Sequence, residues 1–411
     1  MSKAKKIVMS GLLAITTCVS YGMVFDNRFF PLIQKPFISV PGRPSHIGAY
    51  LYATTASKAI NSMEQNIGIP ELYGKFDLGA LALAFDQVGL PDPLRSDLRG
   101  QALPFDMAGT IQAQGLEFCY YQSICEIGGI GFNWLVMHSN SRQEFFPKPF
   151  STVDDLTLDA TRRTMFEEMG LSEAQANQSG MGDLDLYMRL GYYWEYALKF
   201  KRIDAGVRLG TLIPAGVKTE LNSPASVPFG GNGFWGFYGQ LESEFEFKED
   251  MKGGLMFRLS KRFAKTQCQR LPVKGTFIGK ESEPYIFSPL IGDVKITPGF
   301  NFVFMPYAQL ENLRAGLGVR LLYTLTSHWD DTWCDERSDK TIPVDLGLVN
   351  RLSDWKSDYI SLSVFYDFGK VKVQRSLDPI LIFTWDIPSL FFSSEKTPTT
   401  NKVSLGLEYN F

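Results

Sequence analysis

The sequence predicts an all-β fold: a transmembrane antiparallel β-barrel of about 14 strands, within about 12–16, with a short helical outer loop. Three observations carry this. Apolar and polar residues alternate with a period of two along many stretches, and the connections between those stretches are long and short by turns. A charged, then apolar, leader opens the chain. Aromatic content of 14% and 37 glycines suit interfacial rings and tight turns, and no apolar run approaches the roughly 20 residues that a membrane helix needs. An exported chain without such a helix can still span lipid as a closed barrel, where every backbone polar group is paired.

The leader has Lys3, Lys5 and Lys6 before an apolar run over 7–15, and Ser20 and Gly22 form a small-x-small site. Residues 1–22 therefore read as a signal peptide cleaved after Gly22. Residues 23–45 form an N-terminal segment rich in phenylalanine and proline, either a plug or the first strand (near 29–40), and 46–411 form the barrel. The net charge of −3 excludes a broadly basic nucleic-acid surface. With Cys18 removed, Cys119 could pair with Cys125, and Cys268 with Cys334, in an oxidising periplasm.

The strand candidates follow in order. Alternation runs over 46–56, over 76–85 with Phe76, Leu78, Ala80, Ala82 and Ala84 on one face, and over the hairpin 110–121 and 124–138. The clearest pair is 183–200 with 203–211. Leu184, Leu186, Met188, Leu190, Tyr192 and Trp194 take one face, and Asp185, Tyr187, Arg189 and Glu195 take the other. That is the apolar-out, polar-in pattern of a barrel wall. It recurs over 235–247, 255–263, 294–305, 313–326, 359–368, 370–387 and 402–411, about thirteen candidates in all. Counted back from a C-terminus in the periplasm, connections 327–357, 265–293, 214–233 and 139–182 are long, whereas 369–371, 306–312, 248–252, 200–202 and 122–123 are short. Long outside and short inside is the rule for outer-membrane barrels, and only 57–72 breaks it.

The longest outer connection carries helix signals. Ser151 or Thr152 can cap, Asp154 and Asp155 suit a first turn, Gly170 suits a stop over 154–169, and a second short helix fits 172–178. Leu158, Met165, Phe166 and Met169 give this helix an apolar side, which either packs on the barrel rim or lines a groove that binds apolar molecules. The inward rows place Arg189, Glu195, Arg208, Glu242, Glu244, Arg258, Arg262 and Arg320 on the lumen, with Glu242 opposite Arg258. Such charges either line a hydrated pore or cross-link a narrowed one. The histidines His46, His138 and His328 bring no serine into evident reach, so the chain reads as a non-enzyme that needs no cofactor.

Two resemblances complete the reading. The closing strand, with Ser404, Gly406, Tyr409 and Phe411, resembles the C-terminal assembly signal of bacterial outer-membrane barrels, which implies the barrel assembly machinery and outer-membrane lipid as partners. The segments 180–184, 210–216 and 404–411 resemble the outer-membrane fatty-acid and aromatic-hydrocarbon transporters of the FadL-like kind. That resemblance is strongest over 180–265. It implies fourteen strands, an N-terminal plug, a helical third outer loop and a greasy groove, although an Asn-Pro-Ala signature near the start is missing. It favours passive passage of small hydrophobic solutes. The alternatives are a general polar porin, or a non-conducting structural or adhesin barrel, in either case monomeric or oligomeric.

Overall fold

The computed structural model describes residues 27–31, 33–38, 42–148, 154–171, 174–196, 200–276, 284–371, 378–389 and 394–411. The predicted leader 1–22 lies outside them. A fourteen-stranded antiparallel sheet contains twelve long strands that close on themselves. In chain order these wall strands are β1 His46–Ala56, β2 Pro104–Cys125, β3 Gly128–Pro147, β4 Leu184–Glu195, β5 Arg202–Ile213 and β6 Gly236–Lys248. They continue as β7 Met251–Arg262, β8 Phe300–Arg314, β9 Leu317–His328, β10 Trp355–Asp367, β11 Pro379–Ser389 and β12 Asn401–Asn410. Each pairs with the next, and β12 returns to β1 in a seam running from His46↔Asn410 to Thr55↔Asn401. The short strands Phe76–Asp77 and Gln175–Met181 extend the tall ends of β2 and β3.

The seam closes because Gly406 lets Tyr50 lie across it: a Cβ there would stand 2.1 Å from the ring. Gly210 gives Tyr238 the same freedom. Outward rows are apolar on every wall strand, as in Leu186, Met188 and Leu190 on β4, Phe257 and Leu259 on β7, and Val403, Leu405 and Leu407 on β12, all exposed. Closed pairing with this jacket is the structure that hydrocarbon demands. The tall hairpin marks the upper edge of the jacket. Along the outward row of β2, Thr110, Gln112 and Gln114 give way to Leu116, Phe118 and Tyr120; on β3, Asn140 and His138 give way to Val136, Trp134 and Phe132. Gln114 is paired with His138 and Leu116 with Val136, so both strands leave lipid at one height.

Several expectations change. Residues 76–85 do not form a wall strand: α1 occupies Leu78–Val88, capped where Asp77 accepts a 3.0 Å hydrogen bond from the Ala80 N–H, and ended by Gly89 at φ 78°. Alanine alternating with leucine imitates a strand period, but both are strong helix formers, and this helix is buried on nearly every side. The stretch 57–103 is therefore one long outer connection, which removes the anomaly at 57–72. Residues 29–31 and 33–38 adopt no strand either. Helix α2, Asp155–Glu168, forms as expected with Gly170 at φ 64°, but it lies in the second outer connection, and 175–178 belongs to a strand. The proposed caps Ser151 and Thr152 lie outside the described residues; Asp154 takes the N-cap position.

Above the barrel, Lys265–Arg270, Ile291–Thr297 and Thr332–Asp335 make a three-stranded sheet, flanked by α3, Leu346–Ser353. Cys268 and Cys334 sit on its two outer strands with Ile291–Thr297 between them, so they do not pair, and Cys119 and Cys125 are also free.

Candidate functional site: the lumen

The N-terminal segment lies inside the barrel. At its outer end Asn27 donates to the Pro228 carbonyl at 2.7 Å, and Thr400 donates to the Phe29 carbonyl at 3.1 Å. Phe29, Phe30 and Ile33 are then buried among Val227 and Phe229 of an outer loop and the wall residues Ile111, Leu135, Met305 and Tyr359. Further down, Lys35 forms an ion pair with Glu244 and lies over the Tyr307 ring. Phe37 stacks on His46 with centroids 4.4 Å apart, and its carbonyl accepts from Arg208 at 3.1 Å.

Two cavities flank this apolar collar. The outer one, about 280 Å³, is lined by Arg28, Phe29, Tyr73, Phe234, Arg262, Tyr285, Trp333 and Trp355 among others. The lower one, about 270 Å³, has a charged lining that includes Lys35, Arg208, Arg258, Glu244, Glu311 and Arg320. Arg270 lines the outer cavity and donates to the carbonyls of Leu221 at 2.9 Å, Ser288 at 2.8 Å and Met169 at 3.2 Å. Burial with no carboxylate among these acceptors pushes its guanidinium down to about 10.

The inward charges are cross-linked. Glu242 accepts from Arg189 and, at 2.9 Å, from Arg208, while Gln240 donates to it at 2.8 Å. Arg189 also reaches Asp204 at 2.6 Å, and Arg208 lies 4.3 Å over the Tyr187 ring. Arg258 stands 3.5 Å from Asp185 and over the Tyr238 ring. The expected Glu242–Arg258 pairing does not occur, since Gln240 is the residue opposite Arg258. Glu244 takes Lys35 and the Tyr307 hydroxyl, the latter at 2.7 Å. Arg262 pairs with Asp183 at 2.8 Å near the outer end, and Arg320 donates to Gln309 at 2.8 Å. Glu195 keeps inward parity, but it ends β4 and is exposed.

The α2 residues come together differently from a groove. Leu158, Met165 and Phe166 are buried against Phe76, Phe105 and Phe287, with Met169 packed alongside. The Phe166 and Phe287 rings stack at 5.2 Å. Sequence reasoning missed Lys35 as the partner of Glu244, and Asp183, Asp185 and Asp204 as partners of these arginines; the last two share inward parity with Arg189 and Arg208, which was the available signal. One serine–histidine contact also emerges. Ser179 and His138, on adjacent strands, lie 2.7 Å apart on the exposed outer face.

This architecture, a closed, lipid-jacketed barrel with a charged lumen, defines the class: a β-barrel of the outer-membrane kind. No protein-family model matches the chain, and no curated protein matches its sequence. Among solved structures the chain is similar to the COG4313 outer membrane channel from Pseudomonas putida F1. Identity is 11%, 92% of this chain and 100% of that one are covered, and the TM-score is 0.50. Weaker likenesses are to a Pseudomonas aeruginosa FadL homologue, at 9% identity, 90% and 91% coverage and TM-score 0.34, and to a deltaS2 mutant of the TodX monoaromatic hydrocarbon channel, at 9%, 89% and 90%, and 0.36.

Proposed function

We propose that the barrel passes small, mainly apolar molecules passively across the outer membrane, with residues 27–31 and 33–38 acting as a movable plug. The carrying observation is the axial order of the lumen: an aromatic-lined outer cavity, an apolar collar made by Phe29, Phe30 and Ile33, and a charged lower cavity. An apolar solute would leave water at the outer rings and pass the collar when the segment shifts. Among the described residues, a few polar contacts and the buried ion pair Lys35–Glu244 tie the segment to the wall. In this reading the α2 cluster of Leu158, Met165, Phe166 and Met169 binds apolar solute only by opening, and otherwise anchors the rim. Assembly uses the closing strand as signal for the barrel machinery, after export and removal of 1–22.

The charged lower cavity favours a second reading, a polar porin. Single-channel recording in a planar bilayer separates the two. Near-silence together with saturable uptake of alkylbenzenes or long-chain fatty acids supports the apolar channel; large, steady ohmic conductance overturns it.

A further inference from the structure

Three strands bring a thiol, an imidazole and an amide together at the lower end of the lumen. Cys119 Sγ of β2 lies 3.4 Å from His46 Nε2 of β1, and His46 Nδ1 lies 2.9 Å from Asn410 Oδ1 of β12. Register builds the trio: His46 is paired with Asn410 across the seam, and Cys119 faces Gly48. A Cβ at position 48 would stand 2.7 Å from Sγ, so glycine is what lets the thiol lie beside the ring. All three side chains line the lower cavity of about 270 Å³.

The protons follow from the partners. An amide oxygen against Nδ1 requires the hydrogen on Nδ1, which leaves Nε2 as an acceptor facing the S–H. This is a nucleophile, a base and a group that orients the base, on one wall of a cavity. Phe37 of the N-terminal segment covers the same ring. The titratable and charged groups facing the thiol are Tyr50 of β1, Glu117 of β2, Tyr187 of β4, Arg208 of β5 and Glu408 of β12.

We propose that Cys119 is a covalent capture site for small α,β-unsaturated carbonyl compounds that reach the lower cavity, with His46 carrying the proton and Asn410 as positioning residue. The S–H proton passes to Nε2 as sulfur bonds to the β-carbon. The alkene π pair moves onto the α-carbon and carbonyl, and the α-carbon takes the proton back from Nε2. One S–H and one C=C are consumed and one S–C and one C–H are formed, with no co-reactant. The inference needs a reachable lower cavity and is independent of which solute the channel carries.

The test uses N-ethylmaleimide on the full chain in detergent micelles, with Cys18 and the exposed Cys125, Cys268 and Cys334 replaced by serine and the adduct mapped by peptide mass spectrometry. One adduct at Cys119 is expected, absent in Cys119→Ser, faster in Phe37→Ala and slower by about 10²-fold in His46→Gln, the usual span for a lost general base. No adduct on the folded barrel, or equal rates with and without His46, overturns the proposal. If His46→Gln fails to fold, Asn410→Ala decides: a slower rate supports the proposal, and a rate equal to that of the unsubstituted chain overturns it.

Discussion

Replacing Glu242 with glutamine tests whether the lumen charges form a network or merely line a pore. The carboxylate holds two guanidiniums at once, Arg189 and Arg208, and all three side chains are almost fully buried. Glu242→Gln keeps the shape and removes the charge. Arg189 then retains Asp204 at 2.6 Å, but Arg208 is left with neutral partners: the Phe37 carbonyl and the Tyr187 ring. Leaving one buried guanidinium uncompensated costs about 3–5 kcal/mol. Denaturant unfolding in micelles, followed by tryptophan fluorescence, reads that loss as a lower midpoint at unchanged slope. The double variant Glu242→Gln with Arg208→Gln should recover a large part, with a coupling energy of about 1.5–3 kcal/mol in the mutant cycle. A loss below about 1 kcal/mol, the range of exposed pairs, would show that water already screens these charges and would refute the closed-network reading.

Three further outcomes follow from the same geometry. Leu405→Arg on the lipid jacket should cost about 2–4 kcal/mol, while Gln112→Arg, on an outward row above it, should stay within about 0.5 kcal/mol; equal effects would misplace the membrane edge. Gly406→Val drives a side chain into Tyr50 and should cost about 1–3 kcal/mol, seen as a lower melting temperature that a second change, Tyr50→Ala, relieves. Phe29→Ala with Phe30→Ala should thin the collar and raise conductance in bilayer recordings, and unchanged conductance would count against a plug at that level.

What the sequence made legible was set by period. Outward rows such as Leu186, Met188 and Leu190 repeat every second residue because lipid meets every second side chain, and β1 could be bounded at 46–56 on that basis alone. Period also misled at 76–85, where Ala and Leu alternate inside a helix buried on nearly every side. The inward charges were legible as a set, since parity alone assigns them, but their partners were not. Partners depend on register and curvature: Glu242 on β6 reaches across β5 to Arg189 on β4, because the concave face of a narrow barrel converges side chains from alternate strands. The α2 residues left rim packing and a groove both open for a related reason. Their burial comes from Phe76, Phe105 and Phe287, in three segments far apart in the chain, and no local pattern encodes that meeting.

Chain direction explains why the N-terminal segment occupies the lumen. β12 runs toward the lower rim and is antiparallel to β1, so β1 starts at that rim, next to Asn410. Asn27 is bonded to Pro228 at the outer end, and Phe37 is stacked on His46 at the lower end. The intervening residues must therefore travel the length of the barrel, and about 3.3 Å per extended residue gives enough reach for a hydrocarbon core about 30 Å thick. A route outside would drag unpaired backbone through lipid. Inside, the same chain meets apolar wall residues where its own residues are Phe29, Phe30 and Ile33, and Glu244 where its residue is Lys35. The segment's described residues thus match the lumen level by level, apolar against apolar at the collar and cation against carboxylate below it.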